Sequence, residues 1–288
     1  MKAPPFEYVR AGSVGDAVEA LAADPDARVL AGGQSLAPLL ALRLARPSVL
    51  VDVGRVPLHD VTVDDAWIRL GAVVRHRQLV DDPVVTREAP LLALAARHVG
   101  DAAIRNRGTL GGSLAHADPA AELPAALVAA GGRVTVTSTR GSRELAAADL
   151  FEGFFVTGLE PDELLTEVVV PRAPGGSGSA FEEWAPRAAD FAVAGVAVTV
   201  QLADDGTCTG MGAAACGVGN VPVDLAHAMG RAGVVGARAE DALWGAVADA
   251  VQRACVSDDD RAELAGLLAA RAVRHAFVRA AVNTKVAA

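Results

Sequence analysis

Two glycine-rich segments carry the residue types in this chain that are best suited to binding a ligand. Residues 31–36 read Ala-Gly-Gly-Gln-Ser-Leu, and residues 109–113 read Thr-Leu-Gly-Gly-Ser. Residues without a Cβ atom let backbone N–H groups approach an anion closely, and the neighbouring hydroxyls and amide add hydrogen-bonding groups. If folding brings both segments together, they can hold the two phosphates of one dinucleotide. The first segment alone is also compatible with an ordinary corner between a strand and a helix.

Other patterns that carry chemistry are mostly missing. The sequence contains no GxxxxGK[ST] motif. Cys208, Cys216 and Cys255 form no CxxC pair, and the six histidines lack metal-binding spacing. We therefore expect neither a disulfide framework nor a metal or iron–sulfur site built by this chain alone. Residues 210–215 resemble a degenerate GxGxxA, but they are predicted to lie within a hairpin strand, where close packing of small residues is the simpler interpretation.

The composition favours a folded protein with a large core. Of the 288 residues, 52% are hydrophobic and only 4% are aromatic, which suggests two domains or three small ones. A formal net charge of −9 argues against nucleic-acid binding through a broad basic face. No apolar run is long enough to cross a bilayer, and the first residues lack the apolar region of a signal peptide. We expect a cytoplasmic location and no membrane span.

The elements that must position the two segments mix strands and helices. Residues 6–60 predict the order strand, helix, strand, turn, helix, strand. Ser13 is predicted to cap the first helix, and the second helix is expected to continue to Leu44. Further predicted elements are strands at 67–71, 134–137 and 164–170, an amphipathic helix at 91–98, and a helix from Pro119 to about Ala130.

A proline- and glycine-rich stretch at residues 172–179 is the clearest predicted linker. Two strands joined by Asp204-Asp205-Gly206 follow it, and helices come after them. The predicted strands are 193–202 and 207–218, and the predicted helices lie near 222–232, 239–254 and 258–283. The chain after the linker is therefore expected to be an α+β unit.

The residues around the second glycine segment are highly specific. Residues 104–124 read Ile-Arg-Asn-Arg-Gly-Thr-Leu-Gly-Gly-Ser-Leu-Ala-His-Ala-Asp-Pro-Ala-Ala-Glu-Leu-Pro. Together with the first segment, this stretch resembles the FAD-binding medium subunit of the molybdenum hydroxylases, the family of aerobic carbon monoxide dehydrogenase and xanthine dehydrogenase. The resemblance covers almost the whole chain, including the strand before Pro171 and the C-terminal part.

The resemblance implies an α+β fold. Residues 1–173 would form a two-subdomain FAD-binding fold of the PCMH/vanillyl-alcohol-oxidase type, with subdomains at about 1–58 and 59–173. Residues 179–288 would form a C-terminal flavoprotein domain made of an antiparallel sheet with helices.

The resemblance also implies which residues bind FAD. Both glycine segments would cradle its pyrophosphate with backbone N–H groups and hydroxyls, Glu122 would supply the family's carboxylate, and Asp190 and Phe191 would lie beside the flavin ring. The implied FAD-binding residues are Leu30, Ala31, Gly32, Gly33, Gln34, Ser35, Leu36, Val99, Thr109, Gly111, Gly112, Ser113, Ala117, Glu122, Leu164, Asp190 and Phe191.

This chain departs from the family pattern at several positions. Glu182-Glu183 stands where many members have a lysine, and Val99 stands roughly where the xanthine dehydrogenase branch has a phenylalanine that stacks on adenine. Ser113 replaces the commoner asparagine. Phe191 replaces a tyrosine of the carbon monoxide dehydrogenase branch, so it can stack on the isoalloxazine but cannot donate an O–H bond to it.

Three neighbours of the second segment keep more than one interpretation. His116 is more typical of a local hydrogen-bonding residue than of a catalytic base. Arg105 and Arg107 either form structural contacts or face a partner near the phosphates.

A flavin accepts and donates electrons singly or in pairs, while the protein holds and tunes it. The resemblance implies that this chain is the FAD-binding electron-transfer subunit of a complex. A large subunit would carry the molybdenum cofactor, a small subunit would carry [2Fe–2S] clusters, and the complex would be a dimer of heterotrimers. Electrons would run through these centres to FAD and then to an external acceptor, and no residue of this chain need act as a catalytic acid, base or nucleophile.

Two other functions stay open at this point. One is a self-contained flavin-dependent oxidoreductase with a related fold, and the other is a non-catalytic FAD-dependent assembly or binding module. The substrate of the complex would be chosen by the molybdenum subunit, so carbon monoxide, a purine, an N-heterocycle and an aldehyde are all compatible with this sequence.

Overall fold

In the computed structural model, which describes residues 2–239 and 243–287, a parallel sheet positions the first glycine segment. Its strand order is β1-β3-β2, and the predicted element order is confirmed. These elements are β1 (Glu7–Arg10), α1 (Val14–Ala23), β2 (Arg28–Leu30), α2 (Leu36–Ala41) and β3 (Val49–Asp52). Ser13 caps α1 as predicted, because its Oγ accepts from the N–H of Asp16 at 3.1 Å. α2 ends before Leu44, since Arg43 has a left-handed φ of 61°.

An antiparallel sheet with strand order β4-β5-β10-β6-β7 follows, with a layer of short helices beside it. β10 is almost entirely buried, and β6 alternates buried and half-buried residues as its sequence predicts. The elements are β4 (Val61–Val63), β5 (Trp67–Gly71), α3 (His76–Asp81), α4 (Pro83–Glu88), α5 (Pro90–Ala96), α6 (Ala102–Arg107), α7 (Leu110–His116), α8 (Glu122–Ala129), β6 (Arg133–Ser138), β7 (Gly141–Ala146), α9 (Ala147–Leu150), β8 (Phe151–Gly153), β9 (Val156–Thr157) and β10 (Leu164–Pro171).

Two helices of this layer differ from their predictions. α5 is buried on nearly all sides and is not amphipathic, because α3, α4, α8 and a later strand all pack against it. Pro119 does not open α8. Asp118 Oδ1 accepts from the N–H of Ala120 at 2.9 Å, and the resulting turn delays the helix until Glu122.

A second antiparallel sheet, with strand order β11-β12-β13-β14, is covered on one face by the last helices. Its hairpin at β12 and β13 is confirmed. The elements are β11 (Ser177–Trp184), β12 (Ala194–Leu202), β13 (Cys208–Cys216), β14 (Val223–Asp224), α10 (Ala226–Arg231), α11 (Trp244–Ala254) and α12 (Asp259–Ala287). The start of the helix predicted at 239–254 falls partly on residues 240–242, which lie outside the described residues.

The predicted linker at 172–179 is too long, because β11 begins at Ser177. The small residues that resemble a linker instead let α12 pack closely on the strand. A Cβ atom on Gly178 would lie 2.0 Å from the carbonyl oxygen of Ala276.

The two halves of the chain share one apolar core. Phe181, Ala197 and Cys216 belong to the same buried cluster as the residues of α5 and α8. α12 covers the opposite face of the sheet. The fold is thus α+β, with the β11–β14 sheet placed between two helical layers. Among the described residues, no helix is both long and apolar enough to cross a membrane.

Candidate functional site

The first glycine segment (residues 31–36) forms the corner between β2 and α2. Gly33 has a φ of 73°, a conformation that residues with a Cβ atom rarely adopt. Gln34 Nε2 donates to the carbonyl of Gly32 at 3.0 Å and stabilises the corner. Within the described part of the chain, the backbone N–H groups of residues 32–35 have no acceptor. They are therefore available to bind an anion.

The second glycine segment (residues 109–113) begins α7, so the expected turn is in fact the first turn of a helix. Thr109 is the N-cap, and its Oγ1 accepts from the N–H of Gly112 at 3.1 Å. The N–H of Gly111 donates to the carbonyl of Ala72 at 2.8 Å, and that of Ser113 donates to the carbonyl of Thr109 at 3.0 Å. Because the protein already uses these backbone donors, this segment offers a ligand the hydroxyls of Thr109 and Ser113.

The two segments are in direct contact. A Cβ atom on Gly32 would lie 2.4 Å from the carbonyl oxygen of Arg107, just before the second segment. A Cβ atom on Gly112 would lie 3.7 Å from the Cβ of Ala31. Gly32 is thus required by close backbone packing as well as by access to an anion.

His76 is a buried residue that holds the second segment, and no sequence pattern predicts this role. Its Nε2 lies 2.9 Å from the carbonyl oxygen of Thr109, which only accepts, so Nε2 carries the proton. Burial lowers the pKa of His76 to about 4, and the ring is neutral at neutral pH. Gly108 packs against the ring, where a Cβ atom would lie 2.7 Å from Nδ1. No local motif marks His76, because its contact joins residues that are distant in sequence.

Arg105 has a structural role. Its Nη1 donates to the carbonyls of Val99 and Gly100 at 3.1 and 2.6 Å. These bonds fix the loop that carries Val99 beside the second segment. Arg107 contributes its carbonyl oxygen, which accepts from Arg75. The structure therefore favours the structural interpretation of Arg105, whereas the contacts of Arg107 are those of its backbone and leave both interpretations of its side chain open.

Both segments open onto one cleft of about 620 Å³, a size typical of cofactor sites. All of the residues implied by the resemblance line it except Leu30 and Ala117. Leu30 is the last residue of β2, and Ala117 is a buried residue that ends α7 with a φ of 51°. The implied residues that line the cleft are Ala31, Gly32, Gly33, Gln34, Ser35, Leu36, Val99, Thr109, Gly111, Gly112, Ser113, Glu122, Leu164, Asp190 and Phe191.

The loop between β11 and β12 forms one rim of the cleft. Ala189 has a left-handed φ of 67°, and the side chain of Asp190 accepts from the N–H of Phe191 at 2.9 Å. Phe191 is 72% exposed. A phenylalanine exposed at the mouth of a cleft is free to pack on a planar ligand.

His116 lies on the wall of the cleft and packs against Phe155, with ring centroids 4.9 Å apart. Burial lowers the pKa of His116, while Asp118 opposes that shift. This packing favours a local structural role over that of a catalytic base.

Glu122 and Leu164 form part of the inner wall. Leu164 begins β10 and is buried, so it offers an apolar surface. Glu122 begins α8 and is 7% exposed. Burial, followed by the nearby charges of Glu183 and Asp118, raises the pKa of Glu122 to about 8.

The donor set suits a dinucleotide with a negatively charged centre. Free backbone N–H groups and two hydroxyls meet at the glycine segments, and apolar walls extend from them toward Phe191. Among the described residues, no group of three or more His, Cys, Asp or Glu side chains is arranged to hold a metal ion. The residues present fit the FAD that the resemblance implies.

Comparison with known proteins identifies the family and the fold. The family described as the FAD binding domain in molybdopterin dehydrogenase matches residues 4–173. The alpha subunit of the 6-hydroxypseudooxynicotine dehydrogenase complex from Paenarthrobacter nicotinovorans is 46% identical over 211 residues, which cover 73% of this chain and 71% of that protein.

Two solved structures share the fold over their whole length. Carbon monoxide dehydrogenase from Hydrogenophaga pseudoflava superposes with a TM-score of 0.91 at 34% identity, covering 97% of this chain and 99% of that chain. Quinoline 2-oxidoreductase from Pseudomonas putida 86 superposes with a TM-score of 0.90 at 34% identity, covering 99% and 100%.

Proposed function

Since this chain belongs to the FAD-binding medium subunits of the molybdenum hydroxylases, we propose that it carries electrons from partner subunits through FAD to an external acceptor. The chain is an oxidoreductase subunit whose cofactor is FAD, and its relatives are subunits of larger complexes. The proposal adds the electron path and the partners of a cytoplasmic complex.

The first glycine segment is proposed to hold the pyrophosphate. The N–H groups of residues 32–35 are without protein acceptors among the described residues, and they lie at the contact with the second segment. The hydroxyls of Thr109 and Ser113 are proposed to complete the site. His76 keeps Thr109 in place without adding a charge.

The far end of the cleft is proposed to hold the flavin ring. Bound FAD supplies chemistry that takes up and releases electrons singly or in pairs. Phe191 is proposed to pack on the ring, and Leu164 to support its apolar surroundings. The single observation that carries the proposal is that one open cleft joins both glycine segments to the exposed Phe191.

The proposed partners are a large subunit with the molybdenum cofactor and a small subunit with [2Fe–2S] clusters, assembled as a dimer of heterotrimers. Membership of the family supports them, because the relatives are named as subunits or medium chains. In this arrangement the chain positions FAD, excludes water from its inner wall and leaves one edge open to the partners.

The test is the turnover of the complex with and without flavin. The chain is purified with its partners, FAD is removed and then added back, and reduction of an artificial acceptor is followed with carbon monoxide, a purine, an N-heterocycle and an aldehyde. We expect one of these substrates to be oxidised, with acceptor reduction lost without FAD and restored by it. Unchanged acceptor reduction in the FAD-free complex contradicts the proposed electron path.

A further inference from the structure

Two buried carboxyl groups are near enough to interact electrostatically, and one of them lines the cleft. Glu122 lines the cleft at the start of α8, and Glu183 lies near the end of β11 with its side chain 6% exposed. Glu183 Oε2 has no hydrogen-bond partner among the described residues. His98 Nδ1 is 3.8 Å from that oxygen, which is too far for a hydrogen bond.

No positive charge faces this carboxyl pair from the described elements around it. Burial lowers the pKa of His98, at the end of the turn after α5, so this ring is neutral at neutral pH. Burial raises the pKa of the Cys216 thiol, and both carboxyls raise it further. Asp118, before α8, adds a negative charge. His116 on α7 has a lowered pKa as well.

The basic side chains of α12 do not balance the pair, because Arg271 and His275 are already paired with the neighbouring Glu182. Its side chain bonds Arg271 at 2.9 Å and His275 at 2.5 Å on α12. Burial raises the pKa of Glu183 to about 7, and the pKa of Glu122 is raised to about 8. At pH 7, Glu122 is therefore mostly protonated and Glu183 is about half protonated.

Protonation decides what Glu122 can do for a ligand. A neutral carboxylic acid donates its O–H, whereas a carboxylate only accepts. The cleft must also receive the negative charge of a pyrophosphate. In the part of the chain that the structure describes, its acidic lining residues are Asp118, Glu122, Glu163 and Asp190, and its one arginine is Arg28. Arg28 already donates to the carbonyl of Ala27 at 2.8 Å. Because the acidic residues of the described lining outnumber its one arginine, an ionised Glu122 would add repulsion toward the pyrophosphate.

We propose that Glu122 binds FAD as a neutral acid, donating its O–H to an acceptor atom of the cofactor, and that Glu183 is the buried second carboxyl that keeps this proton in place. FAD affinity then depends on a proton held at the inner wall. This inference rests on the proposed binding of FAD in the cleft, and it adds the charge state of Glu122, one of the residues proposed to bind FAD.

The experiment measures the dissociation constant of FAD for the full chain between pH 6 and pH 9.5. Flavin fluorescence reports binding, and calorimetry at pH 8 in two buffers of different ionisation enthalpy reports protons taken up. We expect constant affinity at the acidic end, a loss of about tenfold per pH unit above about pH 8, and net proton uptake on binding.

Three variants distinguish an effect of Glu122 protonation on FAD affinity from a general structural effect of substitution. Glu122→Gln keeps a donor without a titration, so its affinity is expected to be flat across the range and near that of the wild type at pH 6. Glu183→Gln removes a neighbouring negative charge, so the loss of affinity is expected to begin at lower pH. Glu152→Gln is the matched control, because Glu152 is exposed and lies outside the cleft, and it should follow the wild type.

The outcomes distinguish this inference from the proposed function. A chain that binds FAD with the same affinity from pH 6 to pH 9.5 and takes up no proton overturns the inference and leaves FAD binding intact. Failure to bind FAD at any pH, with or without partner subunits, overturns the assignment of the cleft itself. If Glu122→Gln does not fold, the proton uptake of the wild type decides the matter.

Discussion

His76 supports the proposed cofactor site through a hydrogen bond while carrying no charge itself. Its ring reaches from α3 to the carbonyl of Thr109, and its low pKa keeps it neutral. A neutral donor fixes the N-cap of α7 in place, and with it the Thr109 and Ser113 hydroxyls. This long-range hydrogen bond therefore adds to the backbone bond from Gly111 to Ala72 in orienting the second segment.

Replacement of His76 by alanine is expected to weaken FAD binding. Loss of a hydrogen bond worth about 1 kcal/mol corresponds to a rise of about fivefold in the dissociation constant, since Thr109 is no longer held by His76. Flavin fluorescence titration of the folded chain measures this change. His59→Ala is the control, because His59 is exposed and outside the cleft. Equal FAD affinities in both variants would rule out the positioning role of His76.

The sequence shows part of the site at this scale. The glycine segments, Glu122 and the Asp190-Phe191 pair are visible because each belongs to a local pattern of residues. His76 is not visible in the sequence, and the sequence leaves the role of Arg105 undecided, since both roles come from contacts with backbone carbonyls that folding brings near. A lone histidine or arginine has no spacing that predicts such a contact.

The geometry of the proposed anion site depends on the close contact between two connections of the chain. The corner after β2 and the junction of α6 with α7 meet at Gly32 and Arg107. Their contact leaves no space for a side chain, and the carbonyl involved belongs to the rigid backbone. A substitution at Gly32 is consequently a test of how the elements pack.

Gly32→Ala is expected to reduce FAD affinity by at least about tenfold, because its Cβ would lie 2.4 Å from the carbonyl oxygen of Arg107 and the segments would have to separate. The FAD content of the purified chain and its dissociation constant are the measurements. Gly230→Ala is the matched control. Gly230 lies in α10 with nothing within 4 Å of an added Cβ, so alanine should leave FAD binding unchanged. Full FAD content in Gly32→Ala would contradict the packing argument.

Helices and strands are predicted correctly where hydrophobic and polar residues alternate along a strand or where a residue such as Ser13 marks the start of a helix. The amino-terminal elements and β10 follow their patterns closely. The start of β11 is missed because Ser177 to Ser179 resemble a flexible linker, whereas tertiary packing under α12 makes small residues necessary there. The start of α7 is wrongly predicted as a turn, because Gly111 and Gly112 have low helix propensity although Thr109 caps a helix there.

At the scale of the whole molecule, the last sheet completes the core around the cofactor-binding half. β12 and β13 pack on α8, and a Cβ atom on Gly212 would lie 2.0 Å from the carbonyl oxygen of Ala129. The rim loop with Phe191 also comes from this sheet. The carboxyl-terminal half therefore supplies both part of the core and part of the site.

A fragment of residues 1–176 is expected not to fold into a stable FAD-binding unit by itself. Removing the rest of the chain exposes the apolar faces of α5 and α8 that cover Phe181, Ala197 and Cys216. Thermal unfolding and FAD titration of the fragment check this expectation, and co-expression with residues 177–288 should restore both. A fragment with a cooperative transition and normal FAD affinity would show that the halves are independent.

The most direct test of the account is anaerobic reduction of the flavin in the complete complex and in the FAD-loaded chain alone, with one substrate that the complex oxidises. Rapid mixing follows the visible absorbance of FAD. The account predicts that the flavin is reduced in the complex and stays oxidised in the isolated chain, because electrons reach this cleft only through partner subunits. Reduction of the isolated chain by the same substrate would contradict the account and favour a self-contained flavin-dependent oxidoreductase.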